Sequence, residues 1–392
     1  MRIAVNGFFW KDPYTGSGQY LRRLWQYLPA VPESAGHEFV LLCPGAPLER
    51  PPTNARRGVL VAPAGPFAGR NANLAQLWWE QIGLPAAARR VRADVLHSPY
   101  LAAPLVAPCP VVVTAHDLIP WVLPAYRASR ALRLYLRLAQ AGCRRARLVL
   151  ADSEASRRDV LRFFHLPPAR VRTVLLGIEP EFGASLPPEA VGDGRARFGL
   201  PPRYAFYIGG FDERKEVPLL LRAWAAALPD LRRAGEPAPV LALAGRLPEP
   251  GGLYPDLPAL AARLGLDTGA DGPLRFLGRV SETDKRLLLA GAHLFAFPSR
   301  YEGFGYDPLE AMAAGAPVIC ADSSSLPEIV GDAGLLVPPC EADSWAAALT
   351  RLWHDAGLRA DLIARGRARA ARFDPTVTAA HTLRAYLDSA RR

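Results

Sequence analysis

The most restrictive feature of this chain is a rhythm that runs through it twice. Short aliphatic or β-branched runs alternate with longer amphipathic stretches, which is the pattern of parallel sheets built from strand and helix in turn. The first series predicts strands at Arg2 to Val5, Glu38 to Cys43, Val95 to Leu96, Val111 to Ala115, Leu148 to Ala151 and Arg172 to Leu175. The second predicts them at Tyr204 to Ile208, Val240 to Ala244, Leu274 to Leu277, His293 to Phe297 and Pro317 to Cys320. Between the series, Gly183 to Pro202 is rich in Gly, Pro and small residues and reads as a boundary. The expected class is α/β, with two doubly wound Rossmann-like domains facing across an interdomain cleft. Their expected limits are residues 1–183 and 203–372, joined by a linker at 184–202, with a helix at 373–392 packing back on the first domain.

Composition supports two sizeable cores. Of 392 residues half are apolar and 21% are charged, so neither a disordered chain nor a small stapled module fits. The five cysteines, at 43, 109, 143, 320 and 340, form no C-x-x-C pair and have no histidine at zinc-finger spacing. They are expected to be reduced, buried small hydrophobes, which favours a cytoplasmic location. Met1 to Val5 is too short an apolar start for a secretory signal. The long uncharged stretch Val95 to Ala115 contains Pro99, Pro104, Pro108 and Pro110, which would break a membrane-spanning helix.

The net charge of +10 is uneven: residues 1–180 carry +12 and residues 181–392 carry −2. A basic half attracts nucleic acid, anionic membrane or an acidic substrate. Only Lys11, Lys215 and Lys285 are lysines among 47 cations, so genome composition also explains the arginines, and nucleic-acid binding would rest on charge alone.

Ligands of doubly wound sheets sit beyond the carboxyl ends of strands. His116-Asp117, Gly209-Gly210, Gly245-Arg246 and Pro298-Ser299 occupy such positions. The most specific stretch is Arg300-Tyr-Glu-Gly-Phe-Gly-Tyr-Asp-Pro-Leu-Glu310, which holds Glu302 and Glu310 with seven residues between them across a loop-to-helix junction. Asp307 suits the cap and Pro308 the first helical position, so Glu310 is expected at the third. A capping box with two solvated carboxylates explains Glu310. It does not explain why Gly303 and Gly305 strip side chains from the turn beside Glu302, where backbone N–H groups and a helix N-terminus would favour an anion.

With these residues the chain resembles the retaining GT-B glycosyltransferases of family 4, whose signature is this E-x7-E pair. Tyr207-Ile-Gly-Gly-Phe-Asp-Glu-Arg-Lys215, Leu277-Gly-Arg-Val280, Phe297-Pro-Ser299 and Ser324-Ser-Leu-Pro-Glu328 are similar to further parts of that family. Thr114-Ala-His-Asp-Leu-Ile-Pro120 and Ala151-Asp-Ser-Glu-Ala-Ser-Arg157 resemble the subgroup of bacterial mannosyltransferases of surface polysaccharides.

The resemblance implies that Glu310 binds the ribose hydroxyls of a nucleotide-sugar donor, while Glu302 and the Gly303, Phe304 and Gly305 backbone hold the sugar. Arg214 and Lys215 would grip the diphosphate, beside the glycine turn Gly209-Gly210 and near Val280 and Leu309. Glu216 departs from the subgroup's polar neutral residue and places a negative charge beside that grip. His116 is implied to contact the sugar near the reacting carbon, although a histidine at a strand end is also a common structural residue. The catalytic set is thus His116, Glu302, Lys215 and Arg214.

Gly16-Ser17-Gly18, ahead of an expected helix at Gln19 to Leu28, offers backbone donors to the diphosphate or the acceptor. It is not a dinucleotide fingerprint, because Leu21 stands where the third glycine would be. Glu282 could accept both pairing-edge donors of guanine, whereas uracil offers one; its alternative is an acid capping the next helix. GDP-mannose is therefore the favoured donor, a UDP-sugar the alternative, and a glycan or lipid-linked saccharide the acceptor.

Trp78 and Trp79 are assigned to helix packing, leaving Trp10, Tyr14 and Trp121 as acceptor-side aromatics. Residues Arg127 to Arg147 read as a basic amphipathic helix, either an ordinary solvated face or a peripheral contact with the inner face of the membrane. No D-x-D motif occurs, so neither a metal nor another cofactor is expected, and the leaving phosphate would rely on Arg214, Lys215 and helix dipoles. The rival readings are a GT-B sugar-nucleotide hydrolase or epimerase, and a non-catalytic nucleotide-sugar-binding protein.

Overall fold

A computed structural model describes residues 1–13, 15–47, 49–232 and 238–391. It contains two compact units, one formed by Met1–Gly177 with Asp374–Arg392 and the other by Ile178–Phe373. The first holds strands β1 Arg2–Asn6, β2 Glu38–Pro44, β3 Arg57–Ala62, β4 Val95–Ser98, β5 Val111–Ala115, β6 Leu148–Ala151 and β7 Val171–Thr173. The second holds β8 Tyr204–Ile208, β9 Val240–Ala244, β10 Leu274–Gly278, β11 Leu294–Phe297, β12 Val318–Ala321 and β13 Gly334–Val337. Both sheets are parallel, with orders β3-β2-β1-β4-β5-β6-β7 and β10-β9-β8-β11-β12-β13.

The central strands have no wet face. Every residue of β5 (VVVTA) and β9 (VLALA) is buried, as a parallel sheet covered by helices on both sides requires. The helix Val217–Leu231 buries Val217, Leu220, Leu221, Trp224, Ala227 and Leu231, an i, i+3, i+4, i+7 stripe. Trp224 meets Trp353 of the helix Ala342–His354 edge-on, with ring centroids 5.7 Å apart, an arrangement worth about 0.5–1.5 kcal/mol beyond the area it buries. The two strands missing from the sequence reading, β3 and β13, are both edge strands whose residues are mostly half-buried, which blurs their apolar pattern.

The segment read as a linker contains the helix Pro188–Arg197, which lies in the second unit, and the division between units falls at 177/178. Proline opens that helix because the first turn has no partner for its N–H groups in any case. The helix Pro375–Ala390 belongs to the first unit, where the Thr378 hydroxyl donates to the Leu175 carbonyl (2.8 Å) and Arg172 pairs with Asp388 (2.6 Å). A side chain at Gly177 would meet the backbone of Pro375 at 2.1 Å, so glycine is what allows the chain to pass there.

All five cysteines are free; Cys43, Cys143 and Cys320 are buried, Cys109 is half-buried, and Cys340 is exposed, contrary to expectation. Among the described residues no helix is long and apolar enough to cross a membrane. Each sheet has one place where strand order reverses, beside β1 in the first unit and beside β8 in the second. Loops diverge there and leave a crevice, so the β1, β4 and β5 ends of one unit and the β8 and β11 ends of the other are where ligands fit.

Candidate active site

In the second unit, β8 ends at Ile208 and the chain turns at Gly209, where φ is 154° and a side chain would meet the Tyr207 hydroxyl at 2.9 Å. A single 3-10 turn, Glu213–Lys215, follows, and Glu216 at φ 51° leads into the helix Val217–Leu231. The loop after β11 brings Ser299 and Glu302 to the same place. Three donors converge on one oxygen, Glu302 Oε1: Ser299 Oγ at 2.6 Å, Lys215 Nζ at 2.6 Å and Arg214 Nη1 at 2.8 Å. Burial by itself would raise this carboxyl, but the two cations and the hydroxyl hold it down at about 2. Among the described residues none donates to Oε2.

The cationic grip is therefore already engaged. Arg214 also pairs with Asp212 Oδ1 (3.2 Å) and donates to the Tyr301 carbonyl (3.1 Å), so its charge and that of Lys215 are matched by Glu302 and Asp212. Lys215 lies 4.8 Å above the Phe297 ring and is buried, yet an ammonium has three donors and Glu302 takes one. Glu216, the departure noted in the sequence, faces Arg300 at 3.7 Å, which offsets its charge.

Serines hold the Glu302 loop. The Glu302 amide donates to Ser324 Oγ (2.9 Å), and Ser325 Oγ donates to the carbonyls of Glu302 (3.0 Å) and Phe304 (2.6 Å). Gly305, at φ 117°, caps the helix Tyr306–Ala314. That helix starts two residues before the expected Pro308, so Asp307 lies in its first turn rather than at its cap, and Glu310 is its fifth residue rather than its third. Glu310 and Leu309 are buried. Glu310 forms an ion pair with Lys285, which also reaches Asp307 at 3.4 Å; burial opposes the Lys285 charge, but Glu310, Asp307 and Glu282 raise its pKa.

Sequence reading missed Lys285, and one signal pointed to it. In a chain with three lysines, two stand against the two glutamates of the E-x7-E pair. Glu282 is exposed and is the first residue of the helix Glu282–Gly291, whose cap is Ser281; Val280 is half-buried. Gly209, Gly245 and Gly278 lie side by side at the ends of β8, β9 and β10, linked by Gly209 N–H to Ala244 O (3.1 Å) and Gly245 N–H to Gly278 O (2.8 Å). The Gly210 carbonyl accepts from the Tyr207 hydroxyl at 2.5 Å.

In the first unit, Gly16, Ser17 and Gly18 do not precede a helix but open it, as the first turn of Gly16–Tyr27. The Gly18 amide donates to its cap, Thr15 Oγ1, at 3.1 Å, and a side chain at Gly18 would collide with the Asp12 carbonyl at 2.1 Å. Gly18 thus serves close packing, while Gly16 faces open space. His116 follows β5 with both ring nitrogens engaged, Nδ1 to Asp152 Oδ2 at 2.7 Å and Nε2 to the Pro99 carbonyl at 2.9 Å. The Pro99 carbonyl can only accept, so Nε2 carries a proton, and a further proton lies between Nδ1 and Asp152, whose own pKa burial raises. Burial opposes a charge on His116, but Asp152 and the Pro99 carbonyl raise its pKa above the ordinary value. Asp152 stood in a quoted motif without a role.

Trp10 is buried, with Nε1 donating to the Glu49 carbonyl at 2.9 Å, and is not an acceptor-side aromatic. Trp79 is buried in the core, Trp78 packs against that core, and Trp121 is half-buried against Phe164. Tyr14 lies outside the described residues.

Similarity to known proteins identifies the family. The family model for glycosyl transferases group 1 matches residues 195–369, and that for glycosyltransferase family 4 matches residues 14–182. The chain is 32% identical to O-antigen chain mannosyltransferase B of Escherichia coli over 275 residues, 70% of this chain and 69% of that protein. The chain belongs to glycosyltransferase family 4. It is also 30% identical, over 92% of its length and 87% of the other, to the phosphatidyl-myo-inositol mannosyltransferase of Mycolicibacterium smegmatis. D-inositol 3-phosphate glycosyltransferases are among its relatives as well; that of Nocardioides is 34% identical over 62% of this chain and 53% of the other.

Solved structures share the GT-B fold of this glycosyltransferase. Sucrose-phosphate synthase from Thermosynechococcus elongatus matches with a TM-score of 0.76 and 21% identity, over 99% of this chain and 98% of the other. Anabaena HepE in complex with UDP and glucose matches with a TM-score of 0.72 and 22% identity, over 99% and 100%. In this glycosyltransferase the half-buried Glu302 and the buried Glu310 are each set against a lysine.

Proposed function

We propose that this glycosyltransferase moves a hexose, mannose in preference, from a nucleotide diphosphate sugar to a glycan or lipid-linked saccharide acceptor, retaining the α-configuration and without a metal. The observation that carries the reading is the convergence of Ser299, Lys215 and Arg214 on Glu302 Oε1. It keeps Glu302 ionised and leaves Oε2 to accept a sugar hydroxyl, while two cations stand where a diphosphate would gain negative charge. Glu310, held as a carboxylate by Lys285, suits a ribose diol, with Gly209, Gly210, Val280, Gly303, Phe304, Gly305 and Leu309 around the donor. Glu282, exposed at its helix start, is free to accept the two guanine donors, which favours GDP-mannose over a UDP-sugar.

The acceptor hydroxyl attacks the anomeric carbon on the face from which the phosphate departs. The carbon–oxygen bond to phosphate breaks through an oxocarbenium-like state, and a phosphate oxygen takes the hydroxyl proton. Lys215 and Arg214 donate hydrogen bonds to the departing diphosphate. His116 contacts the sugar near the reacting carbon, its ring held in place by Asp152 and the Pro99 carbonyl. Gly16 and Ser17 supply helix-end amides. In the helix Arg130–Arg145 the exposed Arg130, Arg133 and Arg137 beside exposed Leu134 support a peripheral contact with anionic membrane.

A thermal-shift panel of UDP, GDP, ADP and TDP with their sugars, followed by turnover on lipid-linked oligosaccharides, tests the reading. GDP should stabilise most and mannose should appear in a glycoside. Free sugar or epimerised donor alone would favour the hydrolase or epimerase, and binding without turnover a non-catalytic protein.

A further inference from the structure

The stretch Ser324-Ser-Leu-Pro-Glu328 follows β12 and enters the short helix Leu326–Val330. What it offers the site is hydroxyl groups. Three consecutive serines, Ser323 to Ser325, all reach one target, the loop that follows β11. Ser323 Oγ donates to the Ser299 carbonyl at 3.0 Å, and Ser325 Oγ shares its proton between the carbonyls of Glu302 at 3.0 Å and Phe304 at 2.6 Å. A trans peptide is planar, with its N–H opposite its C=O, so holding those two carbonyls also fixes where the Gly303 and Gly305 amides point. Ser324 alone works in the other direction and accepts the Glu302 amide at 2.9 Å.

That last bond comes with backbone strain. Ser324 stands at φ 49°, in the left-handed region that side chains avoid and glycine enters freely. Between residues 300 and 335 four positions have positive φ, and the other three are Gly305, Gly315 and Gly331. At 324 the chain keeps a side chain instead, the one whose hydroxyl takes the Glu302 amide. A strained backbone retained beside a site is a mark of function rather than of packing. The mount behind it is firm. Arg369 donates to the carbonyls of Glu328 at 2.6 Å and Ile329 at 2.5 Å, closing the end of the short helix, and Leu326 of that helix lies against Gly305. Glu302 is thus held at two points, its carboxylate by Ser299, Lys215 and Arg214 and its amide by Ser324.

Resting on the proposed transfer reaction, we infer that Ser324 is a positioning residue for the donor sugar, its left-handed backbone kept so that its hydroxyl can set the place of Glu302 and of the amides that follow it. The residue acts through Glu302 and leaves the nucleotide end of the donor alone. A misplacement of about 1 Å in such a site can slow a reaction by about a hundredfold, so loss of one anchoring bond is enough to be seen.

The experiment sets stability against activity in the full chain. Ser324→Gly and Ser324→Ala both remove the hydroxyl, but glycine relaxes the backbone whereas alanine leaves it strained. Ser324→Ala should therefore melt below Ser324→Gly by roughly 2–4 °C. Transfer is assayed with GDP-mannose and with UDP-glucose, and calorimetric titration gives the Kd of each donor and of its nucleotide alone. Both variants should lose kcat by about tenfold or more on the donor that the wild type uses. The Kd of the nucleotide alone should stay within about twofold, while the difference between donor and nucleotide shrinks. A kcat near the wild type in Ser324→Gly, a kcat that follows the melting temperature across the two variants, or nucleotide affinity lost in step with kcat makes Ser324 a turn residue and overturns the inference with the transfer reaction intact. If the wild type forms no glycoside from either donor, the transfer reading fails instead. The titrations then decide Ser324 by themselves: a donor-to-nucleotide ratio of Kd that changes in Ser324→Gly supports its role, and an unchanged ratio overturns it.

Discussion

At the scale of single residues, Glu302 and Lys215 answer to the same test from opposite signs. Glu302→Ala and Lys215→Ala should each cost transfer about a hundredfold, the scale of one preorganised electrostatic contact, with far-ultraviolet circular dichroism unchanged. Near-wild-type rates in both would remove them from the chemistry. Two carboxylates with displaced pKa values also make opposite contributions to stability against pH. Glu302 lies at about 2 when folded against 4.5 when exposed, so its contribution is full above pH 4.5 and is lost as pH falls toward 2. Glu80 is raised to about 7 by burial, against the pull of Gln76, Tyr135 and Tyr100, so ionising it costs stability as pH rises from 4.5 through 7. Glu80→Gln should therefore gain on the wild type between pH 5 and pH 8 in urea titrations; a pH-independent difference would refute the assignment. The E-x7-E pair and the Arg214-Lys215 step were legible because each lies within a few residues of a turn signal. Lys285 and Asp152 were not, because their partners stand 25 and 36 residues away, at spacings that no local periodicity marks.

Among the elements, the start of the helix Tyr306–Ala314 depends on Gly305. A side chain there would meet Leu326 Cδ2 at 3.0 Å and would be held at φ 117°. Gly305→Ala should lower stability by roughly 1–3 kcal/mol, the cost of a sparsely populated backbone region, and should weaken nucleotide binding through the displaced loop. Calorimetry with and without GDP checks both; an unaltered melting temperature would mean that the cap tolerates a side chain. Element type was readable wherever a run was buried on both sides, as in β5, β8 and β9. It failed at the half-covered edges β3 and β13, and at Pro188, where proline signals a boundary and equally opens a helix.

For the whole molecule, the return of the chain to the first unit is the feature with the largest consequence. The Tyr386 hydroxyl meets Nδ1 of the fully buried His97 at 2.7 Å, and His97 Nε2 meets Thr114 Oγ1 at 2.9 Å. Burial holds that imidazole neutral, down at about 3, so its polar atoms depend on protein partners. Truncation after Phe373 should lower hydrogen-exchange protection in β4 and β5 while leaving β8 to β13 protected and GDP binding intact; protection lost equally in both sheets would contradict the division into units. The amino-acid sequence by itself determined the two parallel sheets, the family and the paired glutamates, because strand burial and turn chemistry are written in neighbouring residues. Only the tertiary structure decided which lysine neutralises Glu310 and that His116 meets Asp152 and the Pro99 carbonyl. Those depend on charges and hydrogen bonds between residues that folding alone brings within 3 Å of each other.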